Sequence, residues 1–460
     1  MSSRALLVVS LATLLSGPAA AAPASGPDAA RLGRFLDVLG AADPMVCDMA
    51  VDQLGNGWSW HGRRQLLSAP GGRSGAPYSH EEFSRVTDPK AVQLLAERLA
   101  DANPCVRRAA ARVLAMSHSD LAARALRGKL RDPLPRVREA AALGVGQRED
   151  HEAYDELLAG FHDPDAAARR MFVYAMGELE DHRSLASVSA LLEDGDAGVR
   201  GAAVWAVGQL KDARSVPPVV KRLKDPDAGV REVAAEALGQ IQSQAATAAL
   251  IEALADKEIP VRRAVVQALG NLQDPKAGPA LAGQLESEDD DLRQEAAQAL
   301  GEVKDTRAVP KLVARLEDRV PEVRAAAAQA LGELQDPKAA PGLAKALADR
   351  DPEVRKASVH ALGELHAAGK APAALIAALG DVDAEVRAGA AHALGEFKDP
   401  AAAPALGKAL KDGVAEVRRA AVQALSEIED RSVTPYLMAA LKDSDAEVRK
   451  QAAEALGEQR

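Results

Sequence analysis

The chain has 460 residues, 47% hydrophobic and 27% charged, with a formal net charge of −10. Such a composition is globular; it excludes a disordered chain and carries no basic footprint for a nucleic-acid partner. Aromatic residues make up only 3%, so Ala, Leu and Val carry the core, which calls for short helices packed close together.

Residues 1–21 have the order of a secretory signal peptide. Arg4 supplies the positive start, Ala5 to Leu15 an apolar run, and Ala19 to Ala21 a small-residue cleavage site. Cleavage after Ala21 is expected, giving an exported chain, periplasmic or secreted. No later run reaches the roughly 18 apolar residues of a membrane span, so no stable membrane insertion is expected after cleavage.

Residues 22–55 read as a degenerate first repeat, with Val46, Cys47 and Gly55 at its marker positions. Residues 56–89 are an inserted loop rich in Gly, Ser and Pro that holds Trp58 and Trp60. It serves either as a cap over the open end of a repeat array or as a binding loop. Cys47 and Cys105 are the only cysteines, and export permits their pairing. Equivalent points on stacked helices lie roughly 8–10 Å apart, beyond the ~7 Å a disulfide tolerates. The alternatives are therefore a bridge or two buried thiols.

From residue 90 to 460 one unit repeats twelve times. A hydrophobic residue followed by Arg recurs at Val106, Val137, Ala168, Val199, Val230, Val261, Leu292, Val323, Val354, Val386, Val417 and Val448. Every step is 31 residues except one of 32, between Val354 and Val386. A fixed period of this length is the signature of a solenoid. Each unit predicts a first helix, an Asp-containing turn and a second helix. Counted from the marker residue, offsets 0, +4, +7 and +8 form one apolar stripe of a 3.6-residue helix. Asp196 and Asp227, three residues before their Val, are expected N-caps. The Gly at offset +9, as in Gly239 and Gly332, is expected to end the second helix in a left-handed conformation. The fold class expected is an all-α, right-handed α-solenoid of stacked helical hairpins: about twelve regular repeats plus the degenerate one.

A turn Asp recurs six residues before the Arg in eleven units, and Ser287 alone departs. Because every unit carries it, the pair is read as structure. Each Arg is expected to fork onto turn carboxylates and carbonyls of its own or the adjacent unit. Asp225, Arg231, Asp256 and Arg262 represent this ladder.

The 31-residue hairpin, the turn Asp and the Arg six residues later resemble the HEAT-repeat superfamily, closest to the short units named for phycobilisome lyases. The resemblance covers residues 90–460 and implies a stacked helical fold that hosts many functions. It offers an enzymatic alternative, a repeat protein related to bilin lyases or to deoxyhypusine hydroxylase. The latter's relatives carry His-Glu iron-ligand pairs just after the Val-Arg, whereas no His stands at offset +2 here. His360 and His392 share offset +6 in neighbouring units, but no third ligand is evident. No cofactor, metal or catalytic residue is therefore expected.

The function expected is a non-enzymatic exported scaffold that binds a protein or peptide partner on the concave face of the solenoid, which the second helices are expected to line. Offset +6 there is polar in most units, but Tyr174 and Trp205 occupy it in two neighbouring units. With Arg170 and Glu236 they have the composition of a binding hot spot. The competing reading has both rings folded back over small neighbours such as Gly201 and Ala202 as core.

Overall fold

The computed structural model describes residues 26–53, 80–365 and 370–458. They divide into two compact units, Met1–Arg222 and Leu223–Arg460. The expected signal peptide, the last residues of the expected degenerate repeat with Gly55, and residues 56–79 of the expected loop, with Trp58 and Trp60, lie outside the described residues.

All regular structure among the described residues is helical. In the first unit the second helices are Pro104–Met116, Pro135–Gln147, Ala166–Glu178 and Ala197–Gln209. In the second they are Ala228–Ile241, Ile259–Leu272, Asp290–Glu302, Pro321–Leu334, Pro352–Glu364, Ala384–Phe397, Ala415–Glu427 and Ala446–Glu458. Most first helices open with a single 3₁₀ turn, as in Thr306–Ala308 before Val309–Arg315. None of the described helices is long and apolar enough to cross a membrane.

The starts of the second helices follow from their sequence. Asp196 accepts from Val199 N at 3.0 Å and Asp227 from Val230 N at 3.1 Å, satisfying donors that the first turn leaves open. Where no side chain caps, Pro can take the first helical position, as Pro321 does.

Within each compact unit, consecutive second helices pack on one another, and first helices pack on the second helices that follow them in the same unit. The predicted stripe is the seam. Leu300, Leu331 and Leu362 at offset +8 are completely buried, as are Leu281, Leu312 and Leu343 from the first helices. Each such Leu contributes roughly 1.5–3 kcal/mol. A single hairpin cannot bury this stripe, so stacking supplies the core.

The ends of the second helices differ from expectation. The offset +9 Gly is still helical: Pro321–Leu334 runs past Gly332. The left-handed residue is the non-glycine three positions later, with φ 51° at Gln335, 49° at Gln273 and 50° at Lys398. Its N–H closes on the glycine carbonyl, 3.0 Å from Gln335 to Gly332. The glycine is required by its neighbour instead. A Cβ on Gly332 would lie 2.8 Å from the Cα of Ala361, which is the offset +7 residue of the next unit.

The N-terminal region is tied down. Helices Ala29–Ala41 and Pro44–Gln53 precede the gap in the described residues, and the short helix His80–Ser84 follows it. The end of the expected loop is therefore packed. Phe83 and Val86 are buried, the Phe35 and Phe83 rings lie 5.9 Å apart, and Ser117 Oγ donates to Val86 O at 2.6 Å. Cys47 and Cys105 form a disulfide with Cα atoms 6.2 Å apart, closer than stacked helices alone place them.

Candidate partner-binding face

The Asp/Arg ladder occupies the turns. Arg231 donates through Nε and Nη2 to both carboxylate oxygens of Asp256, at 2.6 and 3.0 Å, and through Nη1 to the carbonyl of Asp225 at 3.0 Å. Each rung thus joins a residue's own turn to the turn of the next unit. The same fork runs from Arg138 to Asp163, Arg169 to Asp194, Arg293 to Asp318, Arg324 to Asp349, Arg355 to Asp381, Arg387 to Asp412 and Arg418 to Asp443. Arg231 is only 7% exposed, and the guanidinium beside Asp256 holds that carboxyl below its ordinary range. Arg262 departs from the expected pattern. Its Nη1 binds the Asp256 carbonyl at 2.7 Å, but Ser287 stands where the next carboxylate would be, so the fork has no partner there. At the other end Lys129 takes Asp132, at 3.0 Å.

The face opposite the apolar stripe is open in the second unit. Gln267, Gln298, Gln329, His360, His392 and Gln423, all at offset +6, are exposed one per repeat. Glu236 at the same offset is half-buried, and burial, with Glu232 nearby, raises its carboxyl pKa.

In the first unit the aromatic pair is assembled differently from either expectation. Tyr174 and Trp205 stack with ring centroids 4.7 Å apart and planes 20° from parallel. Tyr174 is only 7% exposed, and burial followed by the neighbouring Glu178 raises its hydroxyl pKa. Trp205 remains half-buried. Its ring lies over Gly177 of the preceding repeat, where a Cβ would meet Cζ3 at 2.5 Å. Arg170 reaches Glu139 at 4.0 Å. Tyr174 is thus the floor and Trp205 the accessible ring.

A feature that the sequence reading passed over is the Glu at offset +10, beside the helical glycine. A Cβ on Gly270, Gly301, Gly332 or Gly395 would collide with the carboxylate of Glu302, Glu333, Glu364 or Glu427 respectively, one repeat on. The glycine thus seats a carboxylate as well as a helix. The recurrence of Glu at one offset was visible in the sequence; its seat was not. At Gly363 no Glu takes the seat: among the described residues only Ala393 lies within 4 Å of a Cβ there. A cleft of about 480 Å³ opens at this place, lined by Val359, His360, Glu364, Gly389, His392 and Glu396 among others. Among the described residues no group of three or more His, Cys, Asp or Glu is placed to hold a metal ion.

Ten overlapping matches to the model of the HEAT repeats run from residue 89 to 457. The chain belongs to the HEAT-repeat family. Two solved structures agree on this fold. Importin beta is similar over 100% of this chain and 71% of its own, with a TM-score of 0.61 at 16% identity. Kap95p, described in a study of its binding to RanGDP, is similar over 99% of this chain and 66% of its own, with a TM-score of 0.51 at 15% identity. An engineered protein matches 66% of this HEAT-repeat chain and 98% of its own, at 24% identity and a TM-score of 0.45. No curated protein matches the sequence.

Proposed function

We propose that this HEAT-repeat protein is a non-enzymatic, exported scaffold that holds a protein or peptide partner on the open face of its second helices. The observation that carries the reading is the row from Gln267 to Gln423, exposed at the same offset in six successive repeats. Such a row presents amide and imidazole donors and acceptors at regular spacing to an extended ligand. Kap95p, a similar fold, binds RanGDP, which supports partner binding as a use of such a scaffold. Trp205, stacked on Tyr174, adds a second anchor in the first unit, where Arg170 supplies charge one turn before Tyr174, and Glu236 supplies an acidic group at the same offset in the second.

A photo-crosslinking residue at Gln329 tests the face, with one at exposed Lys276 on a 3₁₀ turn as control. Partner adducts from the native exported fraction are expected at 329 and not at 276; equal labelling refutes the reading. Export rests on the order of residues 1–21. N-terminal sequencing is expected to begin at Ala22, and a mature chain beginning at Met1 removes the export reading.

A further inference from the structure

The cleft at Gly363 interrupts an otherwise regular pattern. From Gly270 to Gly395 the other offset +9 glycines of this unit each seat a Glu carboxylate from the following repeat. Glu396, which should cover Gly363, stands away from it and is exposed. It has no hydrogen bond or ion pair among the described residues. The departure falls at the one 32-residue step in the array, between Val354 and Val386.

The lining has two parts. Gly363, Ala393, Val359 and Gly389 form a small, apolar floor, and Gly389 sits close against Val359: a Cβ there would stand only 3.1 Å from Val359 Cγ1. The rim is acidic. Lys356 is already engaged, at 2.6 Å from Glu353 and 2.7 Å from Glu385. Among the described residues the one further ionic contact on the rim is from His360 Nδ1 to Glu364, at 3.4 Å. Glu396 therefore leaves uncompensated negative charge on the rim of the apolar floor, and Glu364 adds to it, its carboxylate shared with His360 and lying against Gly332 of the preceding repeat.

We propose that this cleft receives an arginine side chain of a peptide partner, its guanidinium lying on the Gly363–Ala393 floor and hydrogen-bonding to Glu364 and Glu396. A guanidinium is planar, weakly hydrated and forked, so it suits a shallow apolar floor flanked by carboxylates better than an ammonium does. The proposal rests on the reading of the second-helix face as the docking face and names the chemistry it selects.

The two histidines on the rim report occupancy directly. The full chain, with ¹³C-labelled histidine rings assigned through single His→Gln variants, is titrated with N-acetyl-arginine methylamide. A single fork of this kind supports a Kd on the order of 1 mM. The His360 and His392 resonances are expected to shift, while those of His118, His151, His162 and His182 stay in place. The uncharged isostere N-acetyl-citrulline methylamide is expected to produce no shift. Gly389→Val, which crowds the floor without changing charge, should abolish the response; its added Cβ would press on Val359, so a lowered melting temperature is expected alongside. Glu396→Gln, at an exposed position, should weaken it at least tenfold and keeps the test open if the valine variant does not fold. Equal shifts with citrulline, a response that survives both variants, or no shift at about 50 mM ligand overturns the proposal. Because the probe is a small molecule, failure here leaves partner crosslinking at Gln329 standing, and failure of that crosslinking leaves the arginine site standing.

Discussion

Gly332 and Ala361 meet backbone to backbone. A single added Cβ on the glycine would stand 2.8 Å from the alanine Cα. Neighbouring second helices approach this closely because one contributes no side chain and the other only a methyl. Overpacking at such a point costs typically 1–3 kcal/mol. Gly332→Val is expected to lower the denaturation midpoint by that order. Gly283→Ala is the contrast: it lies in helix Gly278–Gln284, and nothing lies within 4 Å of its added Cβ. It should be neutral or stabilising by about 0.5–1 kcal/mol. Equal effects of the two substitutions would remove the close-approach argument.

The ladder predicts a difference between two arginines at equivalent positions. Arg231 has its carboxylate at Asp256, while Arg262 faces Ser287. Arg231→Ala should cost about 1.5–3 kcal/mol, the range for hydrogen bonds to charged groups, and Arg262→Ala about 1 kcal/mol. Ser287→Asp should supply the missing rung and raise the midpoint, but only while Arg262 is present. A double-mutant cycle on 262 and 287 measures this, and a coupling energy of zero contradicts it.

The pH dependence has two opposite parts. Asp256, Asp412 and Asp443 have lowered pKa values, first because of the Arg231, Arg387 and Arg418 guanidinium groups. Their contribution is complete above the ordinary Asp value of about 3.9 and is lost as pH falls through the lowered folded value. Glu178 is raised, by burial and then despite its Tyr174 bond, with Glu149 and Glu180 adding to the rise. Its ionisation therefore opposes folding as pH rises from the ordinary Glu value of about 4.3 through its folded value. Glu178→Gln should raise the midpoint at neutral pH, and the gain should vanish below about pH 4. A gain independent of pH would assign the effect to packing.

The Cys47–Cys105 bridge closes a separation of 58 residues. By the chain-entropy relation such a loop contributes about 4 kcal/mol. Reduction, or Cys47→Ser, should expose the helices from Ala29 to Gln53 to proteolysis before the rest of the array is cut. Mass spectrometry that finds both cysteines alkylated without reductant would show that the bridge does not form.

Trp205→Ala should weaken partner capture while costing little stability, because the ring is half-buried. Tyr174→Ala should instead lower the midpoint by about 3–5 kcal/mol, as for a large buried aromatic. If Trp205→Ala destabilises as much and the folded fraction captures its partner normally, both rings are core.

The sequence by itself determined the hairpin, its twelvefold repetition, the caps at Asp196 and Asp227, and the stripe that includes Leu300, Leu331 and Leu362. These follow from short-range periodicity and from residues that act within a turn of their own position. It also singled out the Asp/Arg column, since a pair present in nearly every repeat is visible without coordinates. The tertiary structure decided everything that depends on how far one repeat stands from the next. It moved the left-handed residue from Gly332 to Gln335 and gave the glycine a neighbour to admit. It showed that Arg262 lacks its fork, that Tyr174 lies beneath Trp205, and that no Glu takes the seat over Gly363. A repeating sequence specifies each hairpin almost completely. The contacts between hairpins depend on single residues on facing helices, and that dependence is where the candidate site arises.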